Sequence, residues 1–172
     1  MATSIEQTRR ESEQFRVLLV EDNAGDTYWM KLMLAELGVE WPVTVATDGQ
    51  EALDYLLKRG RHADAPDFDL IFLDINIPKI SGVEVLQALQ GEREYPICIV
   101  SGSVYERESL ESQFKIDPRR YAVKPVSPEA ILEAMECFEH LRPLAEEIQS
   151  KLSPIVTTCV TGLVWASPPP SL

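Results

Sequence analysis

Five short apolar runs punctuate the chain, and each ends abruptly in polar residues. Phe15–Val20 stops at Glu21-Asp22-Asn23, Pro42–Ala46 at Thr47-Asp48, and Asp69–Leu73 at Asp74. Pro96–Val100 stops at Ser101-Gly102-Ser103, and Arg119–Val123 at Lys124-Pro125. Runs of this length, apolar at consecutive positions rather than alternate ones, predict strands buried on both faces. Between them the period changes to that of a helix. Trp29, Met30, Met33, Leu34 and Leu37 line one face of a helix over 24–37, with Gly38 as its stop. Ala52, Leu53, Leu56 and Leu57 do the same before Gly60, and a third helix spans Val83–Leu89. A weaker amphipathic pattern covers Glu106–Lys115, and Ser127-Pro128 provides an N-cap and first-turn proline for a fifth helix. Strand and helix alternate five times. That pattern predicts an α/β fold, a doubly wound five-stranded parallel sheet with helices on both faces and a C-terminal extension.

Past the fifth helix the pattern changes again. Ile131, Ala134, Phe138, Leu141, Ala145, Ile148 and Leu152 follow one another at steps of three and four, a helix-packing seam that continues beyond the expected domain edge. Pro143 within it predicts a kink or a new helix start. Residues 155–165 are rich in Val, Thr and Ile and read as strand-like, and 167–172 form a proline-rich tail. The expected organisation is a flexible N-terminus over 1–14, a domain over 15–141 and an extension over 142–172. The seam on helix 5 and the extension is expected to pair two copies of the chain as a homodimer.

Composition narrows the function classes. The 172 residues carry 16 basic and 28 acidic side chains, for a net charge of -12. This balance argues against a nucleic-acid surface, which needs clustered Lys and Arg, and against a polybasic membrane patch. No stretch reaches the ~18 apolar residues of a membrane span. The three cysteines (Cys98, Cys137, Cys159) are widely spaced and there are only two histidines. A zinc site and a disulfide framework are therefore not expected, and the chain reads as belonging to the reducing cytoplasm.

In a parallel sheet of this kind a ligand site lies outside the carboxyl ends of the strands. Those ends carry Glu21, Asp22, Asp74, Ser101 and Lys124. Carboxylates brought within ~4 Å of one another repel by about 4 kcal/mol per pair at an effective dielectric of ~20. A counter-charge is required, and the all-oxygen donor set suits Mg²⁺ or Mn²⁺. A divalent ion beside a carboxylate and a lysine is the apparatus of phosphoryl transfer, with one carboxylate as nucleophile. Asp74, at the end of the central strand, is the candidate nucleophile, and Glu21 with Asp22 would hold the metal. Lys124 and Ser101 would meet phosphoryl oxygens, and Tyr121 could turn inward behind Ser101.

V-L-L-V-E-D-N at 17–23, L-I-F-L-D-I-N-I-P at 70–78, Val100-Ser101-Gly102 and Tyr121-Ala122-Val123-Lys124-Pro125 resemble the receiver domain of two-component response regulators over roughly 16–140. The resemblance implies a flavodoxin-like receiver fold. It implies Mg²⁺ on Glu21 and Asp22, on Asp74, and on the backbone carbonyl of Asn76. It further implies phosphate on Asp74 from a histidine kinase, Lys124 on the phosphoryl group, and Ser101 and Tyr121 as switch residues. The loop at 63–66 followed by Asp69-Leu70-Ile71 is similar to single-domain regulators that partner bacterial and cyanobacterial phytochromes, which makes a phytochrome the implied kinase. Two positions depart from the family pattern. Ser81 stands where Asp usually precedes the glycine, and Gly102 where Ala or Thr follows the switch serine. Two other readings remain. An aspartyl-phosphate hydrolase would need a second Asp where Asn76 stands, and a receiver-like scaffold would bind its partner without phosphorylation.

Overall fold

The computed structural model describes residues 15–160 apart from 104 and 106, with side chains described through residue 152. The strands are β1 (Val17–Val20), β2 (Val43–Ala46), β3 (Leu70–Asp74), β4 (Ile97–Ser101) and β5 (Tyr121–Val123). They form one parallel sheet in the order β2-β1-β3-β4-β5. The helices are α1 (Ala24–Glu36), α2 (Gly49–Leu56), α3 (Gly82–Leu89), α4 (Arg107–Phe114), α5 (Pro128–Glu136) and α6 (Arg142–Val160). β1, β3 and β4 are buried along their whole length. Side chains alternate across a strand, so each strand feeds two cores. Val17, Leu19, Leu70 and Phe72 face α1, α5 and α6, while Leu18, Val20, Ile71 and Leu73 face α2, α3 and α4. Each such side chain, taken wholly out of water, contributes about 1.5–3 kcal/mol before entropy is counted.

Local signals place the helix starts at the strand ends. Asn23 caps α1, its side chain accepting from the amides of Gly25 and Asp26, and Asp48 caps α2 by accepting from the Glu51 amide. Ser81 and Glu84 form a reciprocal capping box at α3, so the serine that departs from the family pattern does the capping there. Ser127 caps α5 ahead of Pro128, and Gly38 takes a φ of 71° after α1, as a glycine stop requires.

Three expectations change. Trp29 does not join the inner face of α1. It is 42% exposed, and its indole N–H donates to the Val126 carbonyl at 2.8 Å, so it ties α1 to the loop after β5. The seam also packs differently. Ile131, Ala134, Phe138, Leu141, Ala145 and Ile148 are buried in the chain's own core, because α6 folds back beside α5 on the sheet. Of the seam residues only Leu152 is exposed, so the seam through Ile148 is not a face left for a second copy. Finally, residues 155–160 continue α6 as helix rather than strand. Their β-branched residues follow a helix already under way, and β-propensity yields to that context. Residues 161–165 of the expected strand, the proline-rich segment at 167–172 and the N-terminus expected to be flexible over 1–14 lie outside the described residues. As expected at Pro143, a new helix begins, with α6 starting at Arg142. Among the described residues no helix is long and apolar enough to cross a membrane.

Candidate functional site

The carboxyl ends of β1, β3 and β5 meet on one rim. Glu21, Asp22 and Asp74 each bring a carboxylate oxygen within 4.8 Å of the others. Glu21 and Asp74 are buried, whereas Asp22 is exposed. Lys124 reaches in from the end of β5, after which the Lys124-Pro125 peptide is cis. Its Nζ donates to Glu21 Oε2 at 2.6 Å, to Asp74 Oδ2 at 2.6 Å and to Asp26 Oδ2 at 2.7 Å. The remaining oxygens of the two buried acids are held by backbone. Glu21 Oε1 accepts from the Asn23 amide at 3.0 Å and Asp74 Oδ1 from the Asn76 amide at 2.9 Å. Asn76 therefore orients the Asp74 carboxylate through its N–H, while its side chain points to no described partner and the residue is exposed.

Ser101 is fully buried at the end of β4 and its Oγ accepts from the Ser103 amide at 3.1 Å. Tyr121 is also buried, and its hydroxyl donates to the Ser103 carbonyl at 2.6 Å. The two switch candidates thus converge on the same β4–α4 connection, and the Arg107 guanidinium of α4 lies 6.0 Å from the Tyr121 ring centre. The sequence-derived residues all come to one rim, in two groups: Glu21, Asp22, Asp74, Asn76 and Lys124 around the charge cluster, and Ser101 with Tyr121 beside it. Asp26 was not among them. It enters because the Asn23 cap turns the first helical turn back over β1, and an acid in a first turn reads from sequence only as a complement to the helix dipole.

The electrostatics follow from burial and crowding. Burial opposes the charge of Lys124, but the hydrogen bonds it donates to Asp26, Asp74 and Glu21 outweigh it and hold the ammonium above its ordinary pKa. Burial pushes the Glu21 carboxyl up from its ordinary value. The Lys124 and Asn23 hydrogen bonds pull the other way, and the charge of Asp74 adds to the rise. The sign of the linkage is then fixed. A carboxyl whose pKa is higher folded than unfolded favours the fold when protonated, below its unfolded value. That contribution is lost as pH rises through the folded value. Ionised Glu21 therefore costs the metal-free protein stability at pH 7. Glu21→Gln removes the titrating charge but leaves one acceptor for two donors, Lys124 and the Asn23 amide, so the expected result is a Tm of the chelated protein that no longer falls between pH 4.5 and pH 7 as the wild type's does. Thermal unfolding in chelator across that range is the measurement, and a pH dependence that survives unchanged in the variant would refute the assignment of the cost to Glu21.

All donors on the rim are oxygens, three of them carboxylates that repel, and this set fits a hard divalent cation such as Mg²⁺ or Mn²⁺. A buried carboxylate beside a lysine, at the end of the central strand of a doubly wound sheet and with two further acids at hand for such an ion, is the arrangement that the receiver resemblance implies. Residues 17–136 match the model of the response regulator receiver domain, and the chain belongs to that family, the phosphorelay regulators of two-component systems. Among solved structures the chain is similar to the bacteriophytochrome response regulator AtBRR, at 33% identity and a TM-score of 0.64, covering 72% of this chain and 91% of that one. It is also similar to the phosphorylated cyanobacterial phytochrome response regulator RcpA, at 26% identity and a TM-score of 0.56, covering 85% and 96%. The response regulator Rcp1 of Synechocystis sp. is a further relative, 28% identical over 99 residues that cover 56% of this chain and 67% of that protein.

Proposed function

We propose that this receiver accepts a phosphoryl group on Asp74 from a histidine kinase and signals by a change in protein association. The observation that carries this is Lys124 Nζ lying 2.6 Å from both Asp74 and Glu21. It puts a fixed cation beside a buried carboxylate that is already oriented by the Asn76 amide. In the transfer an Asp74 oxygen attacks phosphorus, the P–N bond to the kinase histidine breaks, and its electron pair leaves with the imidazole nitrogen. Lys124 exchanges carboxylate partners for a phosphoryl oxygen. Mg²⁺ or Mn²⁺ would be held by Glu21, Asp22, Asp74 and the Asn76 carbonyl, and when bound it supplies charge neutralisation at the oxygens. Ser101 then meets a phosphoryl oxygen, and Tyr121 reports the change to α4 and β5 through the connection both residues touch.

The kinase we infer is a phytochrome, because both AtBRR and RcpA carry phytochrome in their names and share more than a quarter of their residues with this chain. The compartment we infer is the cytoplasm, where the free thiols of Cys98 and Cys137 are kept reduced. The association we infer is homodimerisation through the α4–β5–α5 face and α6 at Leu152, the one seam residue left exposed. A hydrolase of small phosphomonoesters is disfavoured by Asn76, which cannot serve as a general acid or base.

The test is phosphotransfer from a labelled histidine kinase to the wild type and to Asp74→Asn, with light scattering on the same samples. Wild type is expected to take up label and change mass. Asp74→Asn is expected to keep the fold and lose at least ~10³-fold in uptake, since the amide is no nucleophile. Label on Asp74→Asn would sink the assignment, and label without any change in mass would sink association as the output.

A further inference from the structure

Lys124 has three N–H bonds and gives one to each of three carboxylates, and the third belongs to Asp26. The three partners are not equivalent. Glu21 and Asp74 are buried and each commits its second oxygen to a backbone amide. Asp26 stands in the first turn of α1 with its side chain 45% exposed, its own amide tied to the Asn23 cap at 3.2 Å. It can therefore hold the ammonium without the desolvation that the buried acids suffer. It also brings a fourth carboxylate to a rim that already has Glu21, Asp22 and Asp74, against the one ammonium of Lys124.

We propose that Asp26 is a positioning residue that retains the Lys124 ammonium in the metal-free rim and competes for it with a phosphoryl group on Asp74. The inference rests on Asp74 being the phosphoacceptor. Two consequences of opposite sign follow from Coulomb's law. The charge of Asp26 favours a divalent cation at the rim and draws Lys124 off the acids that would bind it. The same charge opposes the arrival of an anionic phosphoryl group and withholds the lysine from it. Removing Asp26 should weaken the cation and strengthen the anion. A residue that merely braced α1 would weaken both when replaced.

The experiment is tryptophan fluorescence on the full chain, titrating MgCl₂ alone and then beryllium fluoride at saturating Mg²⁺. Trp29 lies one turn beyond Asp26, lines the same pocket and binds the Val126 carbonyl two residues after Lys124. It is placed to register both steps. Wild type, Asp26→Asn, Asp26→Ser and Asp74→Asn are compared, with circular dichroism as the check on folding. Both Asp26 variants are expected to raise the Mg²⁺ Kd about fivefold and to lower the apparent beryllium fluoride Kd about fivefold, a partly exposed charge being worth ~1 kcal/mol. Any other pattern, with both constants moving the same way or either unmoved, overturns the role of Asp26. A wild type that ignores beryllium fluoride, or a response that survives in Asp74→Asn, instead overturns the phosphoacceptor reading and this inference with it.

Discussion

Lys124→Met is expected to cost the metal-free protein about 3 kcal/mol of stability, the order of effect seen when one side of a buried ionic group is removed. The variant keeps the length and apolar stem of the side chain but leaves Glu21, Asp74 and Asp26 around an empty position that held their shared cation at 2.6–2.7 Å. Two of these acids are buried, so water cannot screen them fully. The loss should be conditional. Mg²⁺ supplies the missing charge, and a ligand at ~100 times its Kd adds about 2.7 kcal/mol to a fold that binds it. The variant has no internal cation competing for the carboxylates and should bind Mg²⁺ more tightly than wild type. Urea unfolding in chelator and in saturating Mg²⁺ gives both numbers. The gap between variant and wild type should be large in chelator and shrink with Mg²⁺. Equal stability in chelator would show that the three hydrogen bonds contribute nothing net. A gap that Mg²⁺ leaves unchanged would show that the cost comes from lost packing of the lysine stem instead.

The rim was legible from sequence because its chemistry sits where strands end. A buried parallel strand is a short apolar run, and the first polar residues after it must lie at its carboxyl end, which is how the sequence alone brings Glu21, Asp22, Asp74, Ser101 and Lys124 to one rim. The same alternation predicts five parallel strands, but the order β2-β1-β3-β4-β5 does not follow from it and is implied only by the receiver resemblance. Asp26 and Trp29 were not legible as what they are. Both lie on the first two turns of α1, where helical phase decides whether a side chain faces the sheet, the solvent or the rim, and the phase depends on the Asn23 cap that sets the entry angle. For Asp26 the sequence offers only an acid in the first turn after the Asn23 cap, which reads as a complement to the helix dipole and not as part of the rim. For Trp29 the available signal was the indole N–H, a polar group that a fully buried position would have to satisfy. The tail misled for a different reason. A 3–4 seam says that a helix packs on something apolar, and it cannot say whether that partner is the helix's own sheet. Here it is the sheet: Leu141 and Ala145 are wholly buried in the same core as Phe72.

Gly82→Ala should damage both the fold and the site, although alanine is the better helix former and Gly82 opens α3. A Cβ on this residue would lie 2.3 Å from the Asp74 carbonyl oxygen and 2.8 Å from the Ile75 Cα. Neither atom can swing aside as a side-chain tip would, since both belong to the backbone that carries the phosphoacceptor. The Gly82 amide is bonded to the Ile75 carbonyl at 3.0 Å, so helix and strand end cannot separate without breaking that bond too. Overpacking of this kind costs about 1–3 kcal/mol where neighbours can relax, and backbone on both sides places this case at ~3 kcal/mol. The displacement reaches the Asn76 amide that orients Asp74, so Mg²⁺ binding should weaken at least tenfold in the same variant. Gly102→Ala is the matched control. It too follows a strand end, but among the described residues nothing beyond its chain neighbours lies within 4 Å of the added Cβ, and it should leave stability within ~0.5 kcal/mol of wild type. Urea unfolding and Mg²⁺ titration of the two variants side by side separate the effect of close backbone approach from the general effect of replacing a glycine. If Gly82→Ala were as stable as Gly102→Ala and bound Mg²⁺ normally, the contact between α3 and the end of β3 would not be what fixes Asp74 in place.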